Sequence, residues 1–388
     1  GNTLQAVNGA DAMQYYTLGT STTFNDMSAS ASAPVSTYIV PVRDFVMVGN
    51  IANKQNRVQW SYINNAARFA DTTASVQYQS DHQDLPGEGA QITGITGGDF
   101  AAVFTKRSIW RAAYVGTPLI FRFDEMSPGI GCIVPGSIAR FQTITYFWSG
   151  QGFYAFDGTQ AIPIGDEKVD RFFKDDFLFD YAYNVSSVVD PINKLYLIAY
   201  PSVNSTDGHC DRILALNYIN GRWARIEHDT EFIFNSFTAG YTLDGLDSVS
   251  SSIDALAFSL DSSVWSGGDL TLSGFYTNHR GITFSESNTA KQATFITGED
   301  QIFPHSRAFV RGVRPLVQGD SATSIIVNMG KRDRQTDDVT WGADSTMNSN
   351  GWCPLRANAR YHRVKMRISG GFERAEGFDI DAVRDGLR

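Results

Sequence analysis

The sequence predicts an all-β chain: a β-propeller of about five to seven blades, a C-terminal β-sandwich-like element and few helices. Three stretches share one layout, a β-rich run, a tight turn and a second run with an aromatic residue at its exit. They are FAAVFTKRSIWR (Phe100–Arg111), TYFWSGQGFYAF (Thr145–Phe156) and Leu195–Arg225, where LYLIAY and ILALNYINGRWAR flank a polar loop. Aromatics at 13% and 35 glycines favour many strands joined by tight turns. Beyond about residue 300 the runs lengthen and alternate more strictly, which sets the C-terminal element apart. A large sandwich is the competing architecture.

The elements follow in order. Residues 1–40 are polar and contain SASASAP (Ser28–Pro34), read as an N-terminal arm or partner-packed extension. DFVMVGN (Asp44–Asn50) closes on a Gly-Asn turn, and RVQWSYI (Arg57–Ile63) alternates Val58, Trp60 and Tyr62, so the two form a hairpin. A polar connection, Asp71–Gly98, carries LPGEGAQ and precedes the hairpin FAAVF/SIWRAAYV. A third unit is ITYFW, a turn at Ser149–Gly152, FYAFDG and AIPIG; a fourth is SSVVD, LYLIAY, ILALNY and RWARI. The fifth takes IFNSFTAGY, IDALAFSL and SSVWSGG, and TLSGFYT with GITFSES supplies part of a sixth. One helix is expected over Asp166–Phe179, with an acidic first turn and apolar Val169, Phe172, Phe173 and Phe177. Four alternating strands follow: RAFVRGVRPLVQG, TSIIVNMGKR, RYHRVKMRIS and GFDIDAVRDG. The third places Tyr361, Arg363, Lys365 and Arg367 on one face and His362, Val364, Met366 and Ile368 on the other. The domains are therefore an arm at 1–40, a propeller at 41–300 and a C-terminal β domain at 301–388. Trp60, Trp110, Trp148, Trp223 and Trp265 are the expected blade-core residues, because a large ring fills the wedge between neighbouring sheets.

Composition narrows the function classes. Hydrophobic residues make up 42% of the chain, enough for a sizeable core. No apolar run reaches the roughly 18 residues that span a bilayer, and no basic segment with an apolar core suggests a signal peptide. Cys132, Cys210 and Cys353 are far apart and odd in number, so buried thiols in a reducing cytoplasm are expected rather than a disulfide framework. Residues 301–388 hold 14 Lys and Arg against 10 Asp and Glu, a net +4, which leaves −13 on the first 300 residues of a chain at −9. An acidic body disfavours tight, sequence-independent nucleic-acid binding.

No catalytic constellation stands out. Adjacent acids occur at Asp124–Glu125, Asp166–Glu167, Asp175–Asp176, Glu299–Asp300 and Asp337–Asp338. Glycoside hydrolysis needs two carboxylates on opposite sides of a bond, a condition that adjacency does not meet, so solvated turns are the better reading. SLDSSVW resembles an Asp-box turn through Ser259, Asp261 and Trp265, but Ser263 stands where Gly belongs. Asp207, His209 and Cys210 share a polar loop without the further ligands a metal needs. No phosphate-binding loop, dinucleotide fingerprint or nucleophile elbow is present. No cofactor and no metal is expected.

The middle of the chain resembles the tail nozzle, or tail-hub, proteins of short-tailed bacteriophages, also called packaged-DNA stabilisation proteins. The resemblance is carried by Gly97–Gly116 (GGDFAAVFTKRSIWRAAYVG), Phe121–Phe141, Thr145–Phe173 and the ending Arg360–Arg388. It covers about a quarter of the chain strongly, and the order S-I-W-R, then G-x-F-x-x-F-D-G, is its most specific part. The resemblance implies a structural virion protein without enzyme activity, in a homo-oligomeric, hexameric ring at the end of a short tail. Portal and adaptor proteins would lie above, with tail fibres, tailspike or needle proteins as further partners. Double-stranded DNA would pass without sequence-specific binding, through an acidic or neutral bore, during genome ejection. The location would be the virion tail, assembled in the bacterial host cytoplasm. The basic strand with Arg363, Lys365 and Arg367 would then face a partner. The alternative is a carbohydrate-binding or carbohydrate-cleaving propeller of a phage tail, using aromatic platforms and paired carboxylates. A cellular propeller scaffold is a third reading.

Overall fold

The computed structural model describes residues 2–27, 32–70, 75–237, 270–284, 291–319 and 323–386, with a few isolated positions between 237 and 270. The chain forms two compact units, Gly1–Phe284 and Ser285–Arg388. The division falls ahead of the expected residue 300. The strand Ala293–Ile296 pairs with Tyr361–Ser369, which ties it to the second unit.

The first unit is a β-propeller, with five antiparallel blades among the described residues, each built from strands consecutive in sequence. Blade 1 comprises Ser36–Val42, Phe45–Ile51, Lys54–Tyr62 and Asn65–Phe69, with His82–Asp84 added beside the third strand. Blade 2 comprises Ile92–Thr96, Phe100–Thr105, Ser108–Gly116 and Ile120–Pro128. Blade 3 is Ala139–Phe141, Ile144–Trp148, Phe153–Phe156 and Ala161–Pro163. Blade 4 is Ser186–Asp190, Leu195–Tyr200, Cys210–Asn217 and Arg222–Thr230. Blade 5 is Phe232–Phe237, Leu270–Phe275 and Gly281–Thr283. The segments expected to begin a sixth unit thus complete the fifth, because Leu270–Phe275 pairs directly with Phe232–Phe237. IDALAFSL, SSVWSGG, Trp265 and the Asp-box resemblance lie outside the described residues.

Four apolar clusters of this unit each join one blade to the next. Val103 and Ala101 meet Met47, Val58 and Trp60 of blade 1, while Ala102 and Phe104, on the opposite face of the same strand, meet Phe147 and Phe156 of blade 3. In blade 4, Tyr196, Ile198 and Tyr200 face blade 3, and Leu197 and Ala199 face Ile233 of blade 5. Side chains alternate along a strand, so a strand buried on both faces must be apolar throughout. That is why FAAVF and LYLIAY read as continuous runs.

The expected arm is structured up to Asp26. Strands Thr3–Ala6, Gln14–Thr17 and Asn25–Asp26 make a small sheet, and Met13 packs with Val48, Ile51 and Phe69 on the outer face of blade 1. The expected helix is shorter than Asp166–Phe179: it spans Asp170–Asp176, and a 3-10 segment covers Phe179–Asn184. The extended backbone of Phe177 ends it, with φ −81° and ψ 127°. Phe173 is fully buried, whereas Phe172 is 37% exposed and lies beneath the Arg225 guanidinium.

The second unit is a β-sandwich. One sheet orders Ala293–Ile296, Tyr361–Ser369, Ser324–Arg332 and Thr340–Trp341, with Ser345–Thr346 beside the third. The other orders Cys353–Ala359, Ala308–Gly319 and Phe372–Arg384. Val310, Val313, Val327, Met329, Cys353, Val364 and Ile368 fill the space between them. His362 is buried with 3% of its surface exposed, and burial pushes its imidazole pKa down.

Two outcomes follow from this packing. Trp148→Ala removes a ring 3% exposed that stands edge-on to Phe153 and Phe173, at 4.8 and 4.7 Å. It should cost about 3–5 kcal/mol in urea denaturation; an unchanged midpoint would refute a packed wedge between blades 3 and 4. Burial disfavours the protonated form of His362 in the folded state, while the unfolded imidazole takes up a proton below about pH 6.5. Stability of the second unit should therefore be full above that pH and fall as the solution is acidified towards pH 5. His362→Phe should remove this slope in denaturation curves collected between pH 7 and pH 5.

Candidate functional site

The four described tryptophans of the expected blade core are dispersed along the first unit. The Trp60 indole is 2% exposed, donates from Nε1 to the Gln79 carbonyl at 3.0 Å and meets the Phe121 ring at 5.1 Å. Half-buried Trp110 donates to Ser108 Oγ at 2.9 Å and packs on the cluster between blades 1 and 2. Trp148 and half-buried Trp223 share the cluster between blades 3 and 4, with Trp223 Nε1 donating to the Ile164 carbonyl at 3.2 Å. All four described rings are therefore in packing contacts.

Most of the acidic pairs stay apart. Asp124 accepts from Arg122 Nε at 2.9 Å, Asp166 and Glu167 are exposed, and Asp337 accepts the Arg334 amide at 3.1 Å. Asp176 is an exception. It is 8% exposed, pairs with Arg212 and accepts the Tyr200 hydroxyl at 2.8 Å, which pins the short helix to blade 4. Glu299 is held by both arms of Arg332, a contact that lowers its carboxyl pKa. Burial pushes Asp170 up, yet its Oδ1 accepts the Phe153 amide at 3.0 Å. Its carboxylate is so closely packed that a Cβ on either Gly152 or Gly165 would overlap it. It is a clasp for the hairpin turn.

The loop with Asp207, His209 and Cys210 holds no ligand set. Asp207 Oδ1 accepts the His209 amide at 3.2 Å, and burial pushes the Cys210 thiol up to about 12. The Cys132 thiol is likewise raised to about 12 and Cys353 to about 11, and all three cysteines are buried and free. Among the described residues no group of His, Cys, Asp and Glu could hold a metal ion. No helix among them is long and apolar enough to cross a membrane.

A cleft opens in the first unit where the turn after Phe45–Ile51 meets the LPGEGAQ loop. Its volume is about 510 Å³, and Asn53, Lys54, Gln55, Asn56, Gly87, Ala90 and Gln91 line it. Asn53 takes a left-handed φ of 65°, a conformation asparagine tolerates, and so closes the tight turn that carries Lys54 and Gln55. On the other wall, buried Leu85 and Ala90 anchor the two ends of the loop, and Pro86–Gly89 stand out between them. Gly87 adopts φ 110°, which an L side chain would strain. The walls are tied together at Asn56. Its carbonyl accepts the Leu85 amide and its Nδ2 donates to the Leu85 carbonyl, both at 2.9 Å.

Beneath the cleft, Arg57 forks onto Asp84, with Nε to Oδ1 at 2.5 Å and Nη2 to Oδ2 at 2.8 Å. The Arg57 hydrogen bond holds the Asp84 carboxyl below the usual carboxylate range. Among the described residues, the side-chain amides of Asn53, Gln55 and Gln91 make no hydrogen bond, so their donors and acceptors are available. Sequence reading passed over this cleft because amides in Gly-rich turns look like ordinary solvated loop. LPGEGAQ was the one signal that located its outer wall.

A second exposed feature lies on blade 5. Phe232, Phe234 and Phe275 share the face turned away from blade 4, with Phe234 stacked on Phe275 at 5.3 Å. Phe232 is 50% exposed and Phe275 39%. His279 Nδ1 lies 2.8 Å from Glu231 Oε2 at the neighbouring turn. In the second unit, the expected basic strand is engaged by its own unit: Lys365 stands over the Trp341 ring at 4.9 Å, and Arg367 pairs with Asp344. Arg363 lies on the same half-buried face.

No family model matches the chain, and no curated protein matches it. Solved structures do. An exo-beta-1,3-galactanase from Phanerochaete chrysosporium with galactose is 10% identical at TM-score 0.28, over 95% of this chain and 99% of that one. A structure described as a glycoside hydrolase is 11% identical at TM-score 0.28, over 97% and 96%. A glycoside hydrolase family 43 arabinoxylan arabinofuranohydrolase from Bacillus subtilis, in complex with cellotetraose, is 9% identical at TM-score 0.23, over 89% and 94%. These neighbours are glycoside hydrolases rather than tail proteins, and the expected structural virion protein that conducts DNA through a tail nozzle without enzyme activity is not carried further. The bacteriophage, virion and DNA-ejection labels attached to that reading are withdrawn with it. At such identities and TM-scores no active-site residue or substrate passes from them to this chain.

The Arg57–Asp84 fork makes one outcome measurable. A depressed carboxyl contributes stability that is present above the ordinary carboxylate pKa and lost as pH falls through its folded value. Asp84→Asn should lower the thermal midpoint at pH 7 and leave a shallower decline between pH 5 and pH 2 than wild type. Parallel wild-type and variant curves over that range would show that the pair does not support the cleft.

Proposed function

We propose that the first unit is a carbohydrate-directed propeller that takes a neutral glycan in the cleft between the Asn53 turn and the Gly87 loop. The observation that carries this reading is the set of uncommitted amides of Asn53, Gln55 and Gln91 around a cleft of about 510 Å³. A sugar hydroxyl donates and accepts at once, and a carboxamide offers both an acceptor oxygen and two donor hydrogens. Lys54 adds a donor at the same rim. The walls are braced by Asn56 and by the Arg57–Asp84 fork, so the amides project from fixed backbone.

A glycan array followed by calorimetry on the full chain tests the reading. Wild type should bind one or more neutral oligosaccharides, and combined Asn53→Gly, Gln55→Ala and Gln91→Ala, with glycine keeping the left-handed turn, should weaken binding at least about tenfold while the thermal midpoint is kept. Release of reducing ends from the bound polysaccharide would add cleavage to recognition. Absence of neutral-glycan binding, or undiminished binding by the triple variant, would overturn the assignment.

A further inference from the structure

The second unit carries a separate cleft of about 690 Å³ on the outer face of its three-stranded sheet, lined by Phe309, Arg311, Pro354, Leu355 and Arg356. The local backbone makes it. Strand Ala308–Gly319 pairs Val310 with Ala357 and Gly312 with Pro354, so the register shifts between those two positions. On its other side Val310 pairs with Ala382 and Gly312 with Asp381, which leaves Arg311 without a ladder partner in either neighbouring strand. A bulge of this kind re-aims the side chain it carries. Leu355 points into the core between the sheets, so half-buried Phe309 and exposed Pro354 supply the apolar wall of the cleft, beside exposed Arg311 and Arg356.

Neither guanidinium has a hydrogen bond or ion pair among the described residues. Their situation differs from that of Arg332, Arg367 and Arg307 in the same unit, which pair with Glu299, Asp344 and Asp333. Two uncommitted guanidiniums beside an apolar wall match an oxyanion borne on a ring, because a guanidinium binds a carboxylate through two parallel hydrogen bonds. The flat CH face of a sugar ring would cover Phe309 and Pro354.

We propose that this cleft binds an acidic saccharide, with Arg311 and Arg356 taking the ring carboxylate. The sugar body of the ligand rests on the carbohydrate reading of the first unit; the oxyanion contact does not.

Calorimetry of the full chain with trigalacturonate, neutral galactotriose and inorganic phosphate tests it at low and moderate salt. Trigalacturonate should bind, and its affinity should fall with added salt. Arg311→Gln and Arg356→Gln should each weaken it about tenfold or more at an unchanged thermal midpoint. The Asn53, Gln55 and Gln91 variant should bind it as wild type does, which separates this site from the neutral-glycan cleft. Equal binding of galactotriose, or affinity unaltered in both arginine variants, would overturn the proposal. So would failure of trigalacturonate to bind. Phosphate binding as tightly as trigalacturonate would reduce the cleft to a bare oxyanion site and overturn the saccharide assignment.

Discussion

Burial of one strand on both of its faces is the constraint on which the first unit depends. Phe100–Thr105 serves two apolar clusters at once, Ala101 and Val103 towards blade 1 and Ala102 and Phe104 towards blade 3. Leu195–Tyr200 does the same between blades 3 and 5. A strand in that position cannot shift register by one residue without exchanging its two sets of neighbours, so each blade fixes the register of the next. Rings fill the gap between blades 3 and 4, where Trp148, Phe153, Phe173 and Tyr196 interlock and the short helix is held through Asp176 and Tyr200. A buried polar pair and an apolar wedge thus act on the same junction.

Such a stack has two ends, and the chain treats them differently. The outer face of blade 1 is covered by the small N-terminal sheet through Met13. The far face of blade 5 presents Phe232, Phe234 and Phe275, partly exposed and stacked with one another. The blades provide a rigid frame, and their turns are free to vary because they contribute little to the clusters. The Asn53 turn and the Gly87 loop belong to that variable layer, held to the frame by Leu85 and Asn56.

Periodicity revealed much of this architecture and little of its chemistry. FAAVF and LYLIAY were legible because two-sided burial leaves an unbroken apolar run, and RYHRVKMRIS because one-sided burial leaves alternation. The pairing of Leu270–Phe275 with Phe232–Phe237 was not legible, since about thirty residues separate strands whose hydrogen bonds leave no mark in sequence. The helix was overextended because Val169 and Phe177 follow a helical spacing for tertiary reasons: both pack into the blade 3–4 cluster from non-helical backbone. The amide cleft was invisible for a different reason. Its residues are ordinary turn formers, and only their convergence from two loops gives them meaning.

Charge distinguishes the groups that fold the protein from those left to act. The basic character of residues 301–388 first suggested a partner-facing surface, yet Lys365 and Arg367 are engaged by Trp341 and Asp344, and Arg332 by Glu299. Net charge therefore says little about a surface until internal pairs are discounted. Among the groups left uncommitted, two sets are gathered in clefts: Arg311 and Arg356 in the second unit, and three neutral amides in the first. Ionic groups attract at long range and suit a charged ligand, whereas amides act only within hydrogen-bond distance and suit an uncharged, hydroxylated one. The two clefts thus differ in the chemistry they offer, and that difference follows from which side chains each fold has left unused at that place.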